Sequence, residues 1–166
     1  MKSIGNKNRV RLTKILIFFG KTDHIIDMYR IKELLETDEN KCYEIANILN
    51  IDKTIIYDWH NGNSLPNFDN LIKFADYFGY SIDYILSRSN DDTEYHTINL
   101  MPFGEHLKGI LKTKNITKYK LFKDCKLSNS YKVRWFNQNV KPSVANLIKI
   151  ADYLNVSMDE LMGRVI

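Results

Sequence analysis

The sequence predicts an all-α fold of two tandem five-helix domains, with short β-strands as an option in the segment that precedes each. Residues 66–89 read PNFDNLIKFADYFGYSIDYILSRS and residues 142–165 read PSVANLIKIADYLNVSMDELMGRV, an offset of 76 with 11 of 24 positions identical. The register runs back without a gap to Trp59/Trp135, Asn61/Asn137 and Tyr43/Tyr119. In both copies apolar residues recur at helical spacing between short polar breaks. Two copies of roughly 60 residues each point to paired small domains, each able to bury a core, rather than to a solenoid. The expected division is an arm over 1–22, a first domain over 23–89, a linker over 90–102 and a second domain over 103–166.

Each element has a local reason. RVRLTKILIFF over 9–19 and YHTINLM over 95–101 are rich in β-branched and apolar residues and each precedes a first helix. Either could be a short strand, and the two could pair. In the first copy, helix one is expected over 25–37 with Ile31, Leu34 and Leu35 inward, and helix two over 41–49 on Ile45, Ala46 and Leu49. Helices three, four and five follow over 53–61, 68–78 and 82–88. In the second copy, Leu107, Ile110 and Leu111 form one face of a helix over 103–114. Thr117 can cap helix two, 118–125, whose apolar side is Leu121, Phe122 and Cys125. Ser128 can cap helix three, 129–138, where Tyr131 and Trp135 are four apart and can pack. Pro142 punctuates. Ser143 caps helix four, 144–155, with Leu147, Ile150, Ala151 and Leu154 inward. Ser157 and Glu160 have capping-box spacing and start a short fifth helix that ends near Gly163.

Charge separates the copies. The chain carries +4 overall, but 1–22 hold six cations and no acid, 23–90 a net −6, and 103–166 a net +7. A basic domain attracts polyanions and an acidic one is repelled by them. Cys42 and Cys125 occupy non-equivalent positions and read as reduced thiols of a cytoplasmic protein. The four histidines are scattered, so neither a metal nor a cofactor is expected. Ile15 to Phe19 is too short for the core of a signal peptide, and nothing approaches membrane-spanning length, so no membrane partner is expected. No Gly-rich phosphate loop and no nucleophile with a neighbouring base appears, so an enzyme is not expected.

Two short helices with a tight connection, then Trp, a polar loop, Pro and NLIKIADYLNVSMDEL resemble the phage-repressor-like helix-turn-helix family, also called the xenobiotic-response-element (XRE) family. The resemblance covers about 25–89 and 103–165, strongest in IADYLNVSMDELMG and weaker in FADYFGYSIDYIL. It implies that helix three of the second copy enters the major groove. The base-reading residues would be Asn129, Ser130 and Arg134, since Asn can grip adenine and Arg guanine bidentately. Thr117, Lys118, Tyr131, Lys132, Asn137 and Lys141 would face the DNA backbone, along a stretch from Lys126 to Ser143 that holds no acid. Two departures stand out. Lys132 occupies a position that is aliphatic in the family and is Ile56 in the first copy, which leaves open whether Tyr131, Lys132 or Val133 points outward. The tight-turn Gly is replaced by Asn50 and Lys126.

In the first copy the matching positions hold Lys53, Thr54 and Asp58, with Asn61 as a further weak contact and Asp52 ahead of them. That pattern reads as a poor or non-binding helix-turn-helix. The functional expectation is a sequence-specific regulator of double-stranded DNA, a repressor of a mobile element, in which the second copy does most of the reading and the first supports a weak half-site or serves a protein partner. Tandem copies could mimic a dimer with two readers about 34 Å apart, and a homodimer of chains is a further option. The alternative is a protein-binding inhibitor or adaptor, whose acidic first domain engages a basic protein and whose DNA binding serves self-regulation.

Overall fold

The computed structural model describes residues 14–19, 22–90, 93–95, 97 and 101–164. It opens with a hairpin, β1 (Lys14–Phe19) antiparallel to β2 (Thr22–Asp27), Lys14 opposite Asp27 and Phe19 opposite Thr22. β1 pairs with the segment that follows it, and one expectation is corrected here: helix one begins at Tyr29, not at 25. Thr22, Ile25 and Ile26 favour a pleated strand, and closing a short loop costs far less entropy than reaching a linker some eighty residues away. Residues 9–13, 96 and 98–100 lie outside the described residues; among the described ones an isolated bridge joins Tyr80 and Glu94.

The first copy then supplies α1 (Tyr29–Thr37), α2 (Cys42–Leu49), α3 (Lys53–His60), α4 (Phe68–Phe78) and α5 (Ile82–Ile85). The second supplies α6 (Phe103–Thr113), α7 (Lys118–Asp124), α8 (Ser130–Phe136), α9 (Val144–Leu154) and α10 (Met158–Met162). Repeat-equivalent residues make equivalent ends. Ser81 and Ser157 each accept a hydrogen bond from the backbone N–H three residues on, and so do Asn67 and Ser143. Asn50 and Lys126 both adopt the left-handed conformation in the turn before the third helix, at φ 51° and 52°. An L-residue there is strained, and Lys lacks the local side-chain hydrogen bond that eases Asn.

The cores follow the repeat too. Trp59 and Trp135 are both buried. Trp59 meets the edge of Phe74 at 5.8 Å, while Trp135 lies 5.4 Å from Phe122 and stands edge-on to Phe103 at 6.1 Å. Gly104 lets α6 run against the end of α8, since a β-carbon there would sit 2.2 Å from the Trp135 carbonyl oxygen.

The copies meet through α5 and α10, and the contact is reciprocal. The Ile82 N–H donates to Asp159 Oδ2 at 2.8 Å, and the Met158 N–H donates to Asp83 Oδ2 at 2.7 Å. Each carboxylate thus satisfies a first-turn donor that the other copy's short helix cannot satisfy internally. Each is also held by an arginine that crosses the interface. Arg88 donates to Asp83 at 2.8 Å and to Asp152 at 2.7 Å. Arg164 donates to Asp159 and, at 3.0 and 3.1 Å, to Asp76. Asp76/Asp152, Asp83/Asp159 and Arg88/Arg164 are repeat pairs, so the interface has the self-complementary form of a two-fold dimer within one chain. Phe68 adds an edge contact with Phe103 at 5.9 Å, and Lys141 pairs with Asp69 beside it.

The symmetry is broken by the linker. The Tyr95 and Tyr80 carbonyls both accept from Arg164, at 2.9 and 3.0 Å, and Thr97 donates to Asp76 at 3.0 Å. The Arg164 side chain is 0% exposed against 24% for Arg88. Burial pushes the Asp159 carboxyl up, against the opposing pull of Arg164 and the Ile82 N–H.

Removing one partner of a buried ion pair leaves the other uncompensated. Arg164→Ala should therefore lower unfolding stability by about 3–5 kcal/mol, and Arg88→Ala by about 1–2 kcal/mol. A carboxyl whose folded pKa is raised favours the fold below its unfolded pKa and opposes it as pH rises through the folded one. The Arg164→Ala penalty should then be smaller at pH 4 than at pH 7. Urea titrations at both pH values check this, and equal losses for the two arginines would contradict it. In the same assay Lys126→Gly should gain about 1 kcal/mol by removing left-handed strain.

Candidate nucleic-acid interface

The rotation of α8 about its axis decides which side chains it offers. Trp135 is buried, and Tyr131 stacks on it at 5.0 Å with the rings 2° from parallel. Lys132 does not point away from the protein. Its ammonium lies 5.3 Å from the Phe122 ring and 5.6 Å from Tyr119, so the half-buried stem replaces the aliphatic residue and the charge is held by two π faces. With Trp135 and Lys132 turned inward, Ser130, Val133, Arg134 and Asn137 share the outer face at helical spacing, all exposed. The sequence left Val133 as one of three alternatives, and its 51% exposure answers the question.

Asn129 precedes α8 with an exposed side chain that makes no cap hydrogen bond. Ser128 turns its hydroxyl to Ser130 at 2.9 Å. On α7, Thr117 accepts from the Lys120 N–H at 3.1 Å, and Lys118 sits 4.1 Å above the Phe136 ring. Asn137 ends α8 and is exposed. Lys141 follows in the loop and is tied to Asp69 of the first copy. Nothing in the local sequence signals that tie, because it depends on how the copies pack. Between α7 and α8 a shallow hollow of about 300 Å³ is rimmed by Lys123, Lys126, Lys132 and Asn129, of which sequence reading singled out only the last two for contact. A cleft of about 540 Å³ separates Tyr131 and Arg134 from Pro66 and Asn67 of the first copy.

Four of the five acids of the second copy are engaged by neighbouring side chains. Asp124 pairs with Lys120 at 3.2 Å and accepts from Tyr153 at 2.7 Å, a bond that pushes the Tyr153 hydroxyl up to about 12. Glu105 pairs with Lys108, while Asp152 and Asp159 belong to the interface between copies. Burial pushes the Cys125 thiol up to about 11 and also raises Cys42, so both stay protonated at neutral pH. Among the described residues there is no group of His, Cys, Asp and Glu able to hold a metal ion, and no helix is long and apolar enough to cross a membrane.

The same scaffold in the first copy carries the opposite chemistry. Repeat-equivalent positions hold Glu36 and Lys112, Asp38 and Lys114, Glu44 and Lys120, Asp58 and Arg134. Glu44 accepts from the Lys41 N–H at 2.8 Å, and Asp52 from the Thr54 N–H at 2.8 Å, so carboxylates occupy the starts of both α2 and α3. Those hydrogen bonds hold both carboxyls below the usual range. Lys53, Thr54 and Asn61 are exposed around them, and Asp58 accepts from Asn63 at 3.3 Å. The outer side of α2 and α3 is also apolar, with Tyr43, Ile48, Ile55 and Tyr57 exposed.

Comparison with known families meets this geometry directly. The helix-turn-helix family model matches the chain in two segments, residues 42–85 and 107–161. No curated protein and no solved structure gives a match. The matched segments span more than half of the 166 residues, and each contains one α2–α3 or α7–α8 pair. The chain therefore belongs, twice over, to the XRE-type helix-turn-helix family of DNA-binding transcription regulators.

Proposed function

We propose that the chain is a sequence-specific repressor of double-stranded DNA in which the second copy reads bases and the first does not. The observation that carries the reading is charge reversal on one scaffold. Arg134 stands where Asp58 does, and the α7–α8 surface is cationic where the α2–α3 surface is capped by carboxylates. Duplex DNA carries about one negative charge per 1.7 Å of axis, so an approach that suits one copy is opposed in the other. Asn129, Ser130 and Arg134 take base edges, while Thr117, Lys118 and Asn137 position the backbone. Tyr131 and Lys132 contribute mainly by fixing α8, and Lys141 by fixing the copies. The reciprocal interface supports a chain that works as its own dimer, yet with one reader, so its site is a single half-site without dyad symmetry. The role in silencing a mobile element rests on the resemblance to phage repressors.

Arg134→Ala should cost about 1–3 kcal/mol at the best site and relax preference at one base pair, while Lys118→Ala weakens all sequences alike and lowers the salt slope by about 1. Fluorescence anisotropy on duplexes selected from a random pool measures both. A selected site with dyad symmetry, or an Arg134 variant with unaltered preference, would refute the assignment.

A second reading concerns the first copy. Its exposed Tyr43, Ile48, Ile55 and Tyr57, set among Glu44, Asp52 and Asp58, suit a basic protein surface better than a phosphate backbone. Replacing Ile48 and Ile55 by Ser should leave DNA affinity within about twofold, since surface changes away from a contact are small. The same change should abolish any complex the chain forms with a protein in its own cell. Loss of DNA affinity on that double change would return the first copy to the DNA.

A further inference from the structure

We infer that Val133 is a specificity residue that packs against the C5-methyl group of a thymine, beside the base taken by Arg134. The inference rests on the proposed reading of DNA by the second copy and adds a base identity to it. Val133 is 51% exposed on a helix whose outer face is otherwise polar, between Ser130 and Arg134. The fold gives no reason for valine there. It touches no core, and a β-branched residue on an exposed helical face is a poorer helix former than Ala, Lys, Gln or Glu. Its orientation is fixed from behind, because Trp135 is buried, Tyr131 is stacked on Trp135, and Lys132 is drawn back over Phe122 and Tyr119. A helix held this way brings the isopropyl group to whatever Arg134 reaches.

The major groove offers one apolar feature, the methyl group of thymine, and it differs from cytosine and uracil at that point. Isolated exposed valines on protein surfaces are ordinary. This one is distinguished by company. The other exposed large apolar side chain on the helices of the second copy is Tyr119, which contacts Lys132. Val133 is therefore the one apolar group that the outer face of α8 presents, and a side chain without hydrogen-bonding atoms discriminates by contact with a methyl group.

The test uses the full chain. A random duplex pool yields the preferred site, and each thymine in it is then replaced in turn by deoxyuridine, which removes the methyl group and nothing else. Burying one group of methyl size contributes about fourfold in affinity. One thymine position should lose about fourfold on change to uracil with the unmodified protein. With Val133→Ala the affinity for thymine DNA should fall by about the same factor, and the uracil change should then have no further effect, as a coupled pair requires. Val133→Thr, which keeps one methyl, should retain part of the discrimination and serves as a second folded variant. A uracil series indifferent to Val133, or a thymine preference that survives Val133→Ala, overturns the inference and leaves the DNA-reading proposal standing. Failure of the pool to enrich any sequence overturns both.

Discussion

Two carboxylates and two arginines, shared between α5 and α10, determine how everything else is presented. Asp159 and Asp83 each cap the short helix of the other copy, and each is braced by an arginine that also grips the other copy's fourth helix. These short helices are too brief to hold themselves together, since isolated helices need several turns before propagation repays nucleation. They exist because the opposite copy satisfies their orphan donors. Together with Phe68 on Phe103 and Lys141 on Asp69, this contact sets how the two third helices stand to one another.

A single backbone plan therefore presents two surfaces of opposite charge. The positions kept identical between copies include core residues such as Leu71/Leu147 and Ala75/Ala151 and those that build the interface or its caps: Ser81/Ser157, Asp76/Asp152, Asp83/Asp159 and Arg88/Arg164. The positions that invert charge, such as Glu44/Lys120 and Asp58/Arg134, face solvent or lie at its edge. A substitution at an interface position must satisfy two copies at once, whereas a solvated one is not held by the other copy. The result is one scaffold with a cationic side suited to phosphates and an acidic, apolar side that is not.

Much of this was legible in the residues, and the losses have physical causes. Helix centres followed apolar spacing, and caps at Thr117, Ser143 and Ser157 fell where side-chain chemistry put them. The left-handed turns at Asn50 and Lys126 were signalled by the missing glycine. The start of α1 is not legible because Ile25 and Ile26 suit a strand as well as a helix, and local hairpin closure decides between them. The arginine–aspartate lattice was visible only as identity. Asp83 and Asp159 align in the repeat, but alignment does not say that each touches the partner of the other. The outward side of α8 could not be chosen from spacing, since a lysine at a buried position is resolved only by finding the rings that accept its charge. The placement of Lys141 against Asp69 likewise required the second copy to be in place.

Why an interface of this kind should be ionic at all follows from what apolar helices cannot do. Ile82, Ile85, Met158 and Leu161 are fully buried, and such surfaces attract without strongly preferring one register over the next. Burial raises the Asp159 carboxyl, so its ionised form is less favoured here than in water, and the pair with Arg164 does not fully offset that. An apolar replacement of the same shape could match its stability. A directed hydrogen bond from one particular backbone N–H to one particular carboxylate has a single solution, and a slip of one residue would leave a charge buried without a partner. The lattice thus sets the register between α5 and α10. Registry matters for a chain made of unequal halves, because it fixes where the cationic α7–α8 surface stands relative to the acidic first copy.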